Sequence, residues 1–321
     1  MALRAQPKYV DSISVKSFST EAADILNMAL ICGEEGLNRH IRDKSINRPA
    51  LALTGFLKNF GYKRLQLFGA GEMAYMREMS ASRQEAIMRE MLARPVPCLV
   101  VSRNLLPTEA MEKVARETGT PLFRSPLTTR DFLAQAMLLL EDLFAPQVAE
   151  HGTLMDVKGI GTLIRGKSGV GKSECALALI ERGHSLVADD LVYIKLEKER
   201  ILSGRSSELN RGYMECRGLG IVNISELFGI RAVRLAKEMN LVITFEEWKE
   251  GMDEERTGLE QDFFEILGVR LPHIVLPVRP GRDLARLVEV AAMVQSLKAM
   301  GHDSAREFND RLIAFMAGEN H

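Results

Sequence analysis

The stretch RGKSGVGKSECALAL, Arg165 to Leu179, decides the architecture of the second half of the chain. Gly166 to Ser173 fits the phosphate-loop template G-x-x-x-x-G-K-[ST] at every fixed position. The template also requires a strand before it and a helix after it. GTLIRG (161–166) is a short apolar, β-branched run. KSECALALIERG (172–183) carries Ala176, Leu177, Leu179 and Ile180 at helical spacing, with Gly183 where a C-terminal glycine belongs. The glycines let backbone N–H groups turn inward around an anion, and the helix adds the positive end of its dipole. On this reading Gly166, Lys167, Ser168, Gly169, Val170, Gly171, Lys172 and Ser173 cradle a nucleotide. Lys172 reaches the β and γ phosphates, and Ser173 holds Mg²⁺. The competing reading is a glycine-rich turn that binds nothing, which the complete template in strand–loop–helix context disfavours.

Bulk properties narrow the field. A chain of 321 residues suggests two domains, and 46% hydrophobic with 26% charged residues describes an ordinary soluble globular protein. The formal net charge of −1 shows no basic excess, so nucleic acid is not favoured as a partner. No apolar run is long enough to span a bilayer, and MALRAQPKYVDSISV lacks the apolar core of a signal peptide. Cys32, Cys98, Cys175 and Cys216 are too dispersed for a zinc site or a disulfide framework, and the histidines do not cluster. A reducing cytoplasm is the expected location.

The first part alternates helical and strand-like segments. TEAADILNMALICGEEGLNR (20–39) reads as one helix, RLQLFG (64–69) as a strand, and SRQEAIMREMLAR (82–94) as a helix with Met88, Met91 and Leu92 on one face. PCLVVSR and PLFRSPL read as strands, with TEAMEKVARETG between them as a helix capped by a threonine. This alternation predicts a small α/β domain of structural, regulatory or oligomeric role. RDFLAQAMLLLEDLFAP (130–146) is an amphipathic helix ending at Pro146, and the domain boundary is set within it, giving 1–135 and 136–321. Beyond it, 151–166 reads as two strands around a turn at Asp156–Gly159. SLVADDLVYIKLEKERILSG (185–204) reads as strand, turn at Glu197–Arg200, strand. NLVITFEEW is a strand, and 273–301 is a strand, a Pro-Gly turn and a long final helix.

A phosphate loop specifies nucleotide, not reaction, so its neighbours must decide. Asp189 and Asp190 end the apolar strand after the phosphate-loop helix, where an acid lies near Mg²⁺ and the γ-phosphate. Strand alternation sends the two carboxylates to opposite faces. In GYMECRGLGIVNI (212–224), Glu215 and Arg217 flank Cys216 ahead of two glycines. Glu215 completes a Mg²⁺ site or belongs to an ordinary surface loop. EEWKEGMDEERTGLEQ (246–261) is either a solvated loop or a mobile one that brings Arg256 onto the phosphates. PVRPGR (277–282) sets Arg279 and Arg282 around a turn ahead of a helix, a candidate anion contact. His151 is a general base, a phosphate ligand or simply a histidine at a strand start.

The segments 151–190, ECRGLGIVNI (215–224) and PVRPGRDLARLVEVAAM (277–293) closely resemble the HPr kinase/phosphorylase family. NRPALALTGF and PLFRSPLTT resemble its N-terminal domain, so the likeness covers nearly the whole chain. The resemblance implies a small N-terminal α/β domain, then a P-loop kinase core related in fold to phosphoenolpyruvate carboxykinase. It implies ATP-dependent phosphorylation of a serine of the phosphocarrier protein HPr, and the reverse reaction with inorganic phosphate, which releases pyrophosphate. It also implies a homohexamer. Among the residues, His151 would assist phosphate positioning and Lys172 would bind phosphate. Ser173 and Glu215 would hold Mg²⁺. Asp190 would be the base in the forward direction and the acid in the reverse one. Arg256 would stabilise the transferring group. Residues 214–223 would serve both reactions, and Pro277 to Arg282 chiefly dephosphorylation. Four positions depart from the family pattern: Lys167 stands for an acid, Cys216 for an aliphatic residue, Asp283 for asparagine, and Val294 likewise for asparagine.

Three other readings compete. A small-molecule kinase of carboxykinase type would use the same loop without a protein acceptor. A GTPase switch is disfavoured, because the chain has no N-K-x-D motif. A nucleotide sensor without turnover is the third.

Overall fold

The computed structural model describes residues 9–198, 200–248 and 260–316. The chain divides into two compact units, one spanning Tyr9–Ala145 and the other running from Pro146 onward.

The first unit is a five-stranded sheet in the order Ala29–Cys32, Leu122–Arg124, Leu99–Val101, Leu65–Phe68, Ile46–Asn47. The last four strands are mutually parallel, and Ala29–Cys32 joins antiparallel at the edge. Helices cover both faces, so the central strands are buried on both sides. Phe68, Val101 and Leu122 pack with Met73, Met76, Met88 and Met91. Leu65, Leu67, Val100 and Phe123 pack on the other face with Phe132, Ala136 and Leu140. The latter three belong to the helix Thr129–Leu143, whose apolar stripe therefore sits wholly in this unit. The division falls at Ala145–Pro146, after that helix rather than inside it at residue 135.

The helix expected over residues 20–39 is not formed. Short helices at Val15–Glu21 and Ala23–Leu26 stop at Asn27, whose left-handed backbone (φ 47°) ends the turn. The following Ala29–Cys32 is the edge strand, with β-sheet pairing overriding local helical pattern.

The second unit is built on a nine-stranded mixed sheet. Its centre is parallel: Ile160–Gly166 pairs with Ala236–Glu247, which pairs in turn with Val269–Val278. Helices Lys172–Glu181 and Leu284–Ala299 cover one face through Ala176, Leu179, Ile180, Ala285, Val288 and Ala292. Gly183 (φ 89°) closes the first of these: its N–H reaches the Ile180 carbonyl while the His184 N–H reaches that of Leu179. The helix Leu284–Ala299 is not the last, since Ser304–Met316 follows it. The segment 185–204 is also broken once more than expected, into Ser185–Ala188, Leu191–Glu197 and Ile201–Arg205. Both halves are α/β, as the sequence predicts.

Candidate active site

The strand Ile160–Gly166 runs into the phosphate loop at the carboxyl edge of the parallel strands, where open α/β sheets bind ligands. Gly166, Gly169 and Gly171 all have positive φ, at 146°, 84° and 99°. A Cβ on Gly166 would stand 2.7 Å from the Phe245 carbonyl oxygen and 2.8 Å from a Val170 methyl, so only glycine fits there. The Lys172 ammonium donates to the carbonyls of Gly166 (3.0 Å) and Lys167 (2.9 Å), which curls the loop around its own cation.

One cavity has Ser168, Gly169, Lys172 and Ser173 on one side and Asp189, Asp190, Glu215 and Arg217 on the other, with Glu174 at the helix start. The two aspartates differ in kind. Asp189 is buried, and its Oδ1 accepts from the Thr153 hydroxyl at 2.7 Å. Burial pushes its carboxyl above the usual range, opposed by the Thr153 hydroxyl and the N–H groups of Asp190 and Glu215. Asp190 is exposed and takes a left-handed backbone (φ 64°) two residues past the strand end at Ala188. Neither aspartate lies in a strand, so the alternation expected for the pair does not apply, and both line the same cavity. His151 pairs across the sheet with Leu191, which brings its Nδ1 to 3.3 Å from the Asp190 carbonyl and 4.0 Å from its carboxylate.

Glu215 lies on a two-stranded hairpin, Tyr213–Cys216 with Gly220–Asn223. Alternation buries Met214 and Cys216 and turns Glu215 outward. Cys216 packs in the core beside Ile224 and Met214, as an aliphatic side chain would, and burial raises its thiol pKa. Arg217 spans to the phosphate loop, donating to the Ser168 hydroxyl at 3.1 Å. Asp283 caps the helix Leu284–Ala299, accepting from the Arg286 N–H, and pairs with Arg182 at 2.7 Å. Asparagine or aspartate suits that cap. Val294 is exposed on the helix Leu284–Ala299, beside the equally exposed Met293 and Leu297.

Lys167 and His151 line a neighbouring cavity with Arg165, Thr244 and Glu246, on the other flank of the loop. Arg165 pairs with Glu150 at 3.1 Å and stacks over Phe264, yet its Nε is buried without a partner among the described residues. Arg279 stacks over Trp248, and Arg282 donates to the Pro277 carbonyl at 3.1 Å, bracing the turn. Neither lines the phosphate-loop cavity as described. Arg256 lies outside the described residues. Sequence reading missed Thr153 and Glu174. Thr153 bonds a carboxylate 36 residues away through the pairing of two strands, a relation with no local signal.

Among the described residues, no group of three or more histidine, cysteine or acidic side chains could hold a metal alone. Ser173 and Glu215 line one cavity beside a loop shaped for phosphate, which suits Mg²⁺, an ion usually held by one or two carboxylates plus substrate phosphates.

A glycine-formed phosphate loop facing carboxylates across one cavity defines a P-loop kinase. The chain matches the family models "HPr Serine kinase C-terminal domain" over residues 142–312 and "HPr Serine kinase N terminus" over residues 13–140. It belongs to the HPr serine kinase family. It is 43% identical to the HPr kinase/phosphorylase of Leptospira biflexa over 96% of each chain. It is 41% identical to that of Caldicellulosiruptor bescii over 92% of this chain and 95% of the other. The solved HPr(Ser) kinase/phosphatase of Coxiella burnetii is 36% identical, with a TM-score of 0.45, across 50% of this chain and 97% of that one.

Proposed function

We propose that this enzyme transfers the γ-phosphoryl group of ATP to a serine hydroxyl of HPr, and returns it from phosphoserine to inorganic phosphate. The observation that carries this is the single cavity shared by Lys172, Ser173, Asp189, Asp190 and Glu215. In the forward direction the seryl oxygen bonds to the γ phosphorus, the bond to the ADP oxygen breaks, and the exposed Asp190 carboxylate takes the hydroxyl proton. In reverse, a phosphate oxygen attacks the phosphoserine phosphorus, the seryl oxygen leaves with the proton from Asp190, and pyrophosphate is the product. His151, 4.0 Å from that carboxylate, helps orient it and the incoming phosphate. Lys172 holds the β and γ phosphates, and Arg217 fixes the loop through Ser168. Ser173 and Glu215 would hold Mg²⁺, which when bound neutralises developing charge on the phosphoryl oxygens. Buried Asp189 is a scaffold: with Thr153 it fixes the backbone that aims Asp190 and Glu215. Arg256 is retained as a stabiliser of the transferring group, on the family resemblance alone.

Incubation with HPr and labelled ATP, then with phosphate, tests both directions by protein mass and pyrophosphate release. Transfer to metabolites but not to HPr would overturn the protein-kinase reading.

The same reading includes a homohexamer in the cytoplasm. Met293, Val294, Leu297, Phe308, Leu312 and Phe315 are exposed on the two C-terminal helices, an apolar surface that favours self-association. Light scattering tests it, and a monomer at micromolar concentration would refute it. No described helix is long and apolar enough to cross a membrane.

A further inference from the structure

The first unit contains a cleft of about 550 Å³ lined by Arg39, Arg42, Lys63 and Arg94, with His40 and Tyr62 beside them. That volume is within the range of small-molecule sites. Among the described residues, no carboxylate lines the cleft. Arg42 and Lys63 are held side by side, because the Arg42 N–H donates to the Lys63 carbonyl at 3.1 Å. Both side chains are exposed, and among the described residues neither forms an ion pair. The adjoining acid, Asp43, is already engaged by Arg64 at 2.7 Å.

Arg39 sharpens the point. Its guanidinium is partly buried, and among the described residues it donates only to neutral carbonyls, those of Val96 (2.7 Å) and Thr118 (2.6 Å). Burial without a carboxylate pulls its pKa down. Arg94 likewise donates to a carbonyl, that of Glu90, at 2.9 Å. Backbone bonds thus fix the direction of two cations and leave their charge uncompensated. Four such groups repel one another, and a dianion seated among them relieves that repulsion. Arginine forks and a lysine ammonium are also the usual donors to phosphate oxygens. Tyr62, Leu92 and Pro95 complete the lining and offer apolar surface to a carbon skeleton.

We propose that this cleft binds a small phosphate-bearing molecule, with Arg42, Lys63 and Arg94 holding the phosphate and Tyr62 and Pro95 contacting the remainder. The site is separate from the phosphate loop and lies wholly within residues 39–95. It gives the first unit a ligand of its own.

The test uses the full chain with its phosphate loop saturated by a non-hydrolysable ATP analogue, titrated calorimetrically with phenyl phosphate. One saturable site per chain is expected, weakening as salt rises. Arg42→Ala and Lys63→Ala should each weaken it at least ~10-fold, the scale of a lost charge-assisted hydrogen bond. Their turnover on HPr without phenyl phosphate should match the parent. Both positions are exposed, and the thermal midpoint checks that each variant is folded; should one unfold, the other carries the test. Absence of saturable binding, or binding unaltered in the folded variants, would overturn the proposal.

Discussion

The Arg217 guanidinium donates to the Ser168 hydroxyl at 3.1 Å and lies against the face of Gly169, where an added Cβ would stand 2.8 Å from its Nη1. Hairpin and phosphate loop therefore lock through one arginine and one missing side chain. Gly169→Ala would strain a backbone at φ 84° and displace Arg217 together. Its expected effect is a raised KM for ATP with lowered kcat. Arg217→Ala alone should lower kcat/KM by ~10-fold. In the double variant the steric part of the Gly169 cost disappears, so the two losses should sum to more than the combined one. Strict additivity in a double-mutant cycle would show that the two positions do not communicate.

Lys172→Ala should depress transfer to HPr by at least ~100-fold, the scale seen when one donor to a developing oxyanion is removed. The same change deletes two bonds to the loop carbonyls, so nucleotide affinity should fall as well. Unaltered turnover would remove the phosphate loop from the chemistry.

Arg279→Ala and Arg282→Ala should separate the two directions. ATP brings its phosphates in on the nucleotide, whereas dephosphorylation must dock a phosphoprotein carrying at most about two extra negative charges. Both variants are expected to keep much of the kinase rate and lose most phosphate-dependent dephosphorylation. The Arg282 loss should be the larger, because that side chain also braces the turn through the Pro277 carbonyl. Equal losses in both directions, measured on one preparation, would reduce the turn to a structural element.

Glu289 supplies a pH test of stability. Its carboxyl is held below the usual range first by the hydrogen bond from buried His184, then by the charges of His184, Lys158 and Arg182. A depressed folded pKa adds stability that is complete above the unfolded value, about 4.3, and lost as pH falls through the folded one. Glu289→Gln should therefore lower the thermal midpoint near neutral pH. The gap to the parent should close as acid protonates the parent carboxyl. A gap that is constant down to strongly acidic pH would mean the loss is one of packing.

Much of this site is written locally. The phosphate loop, its helix and Gly183 follow from adjacent residues, because glycine spacing and helix closure are short-range constraints. Sequence alone leaves the hairpin around Glu215 open between a metal site and a surface loop, because its two short strands carry no strong pattern. The first-unit error has a physical cause: Ala29–Cys32 fits a helix as well as an edge strand, and only its partner Leu122–Arg124 decides. Thr153 was invisible because its meaning depends on Asp189 arriving opposite it. The Leu-rich helix Thr129–Leu143 could have docked on either unit by its pattern, and packing with Phe123 and Val100 settles it.

The register of the parallel strands has a consequence in time. Gly166 stands opposite Phe245, Glu246 opposite Pro277 and Glu247 opposite Val278, so three segments far apart in sequence end at one edge. During synthesis the phosphate loop leaves the ribosome long before the strand that completes that edge. The first unit, closed by residue 145, can fold while the rest is still being made. The nucleotide cradle cannot gain its flanking turn until Val278 has emerged. The edge that carries the phosphate loop is therefore finished late, although its first strand is made early.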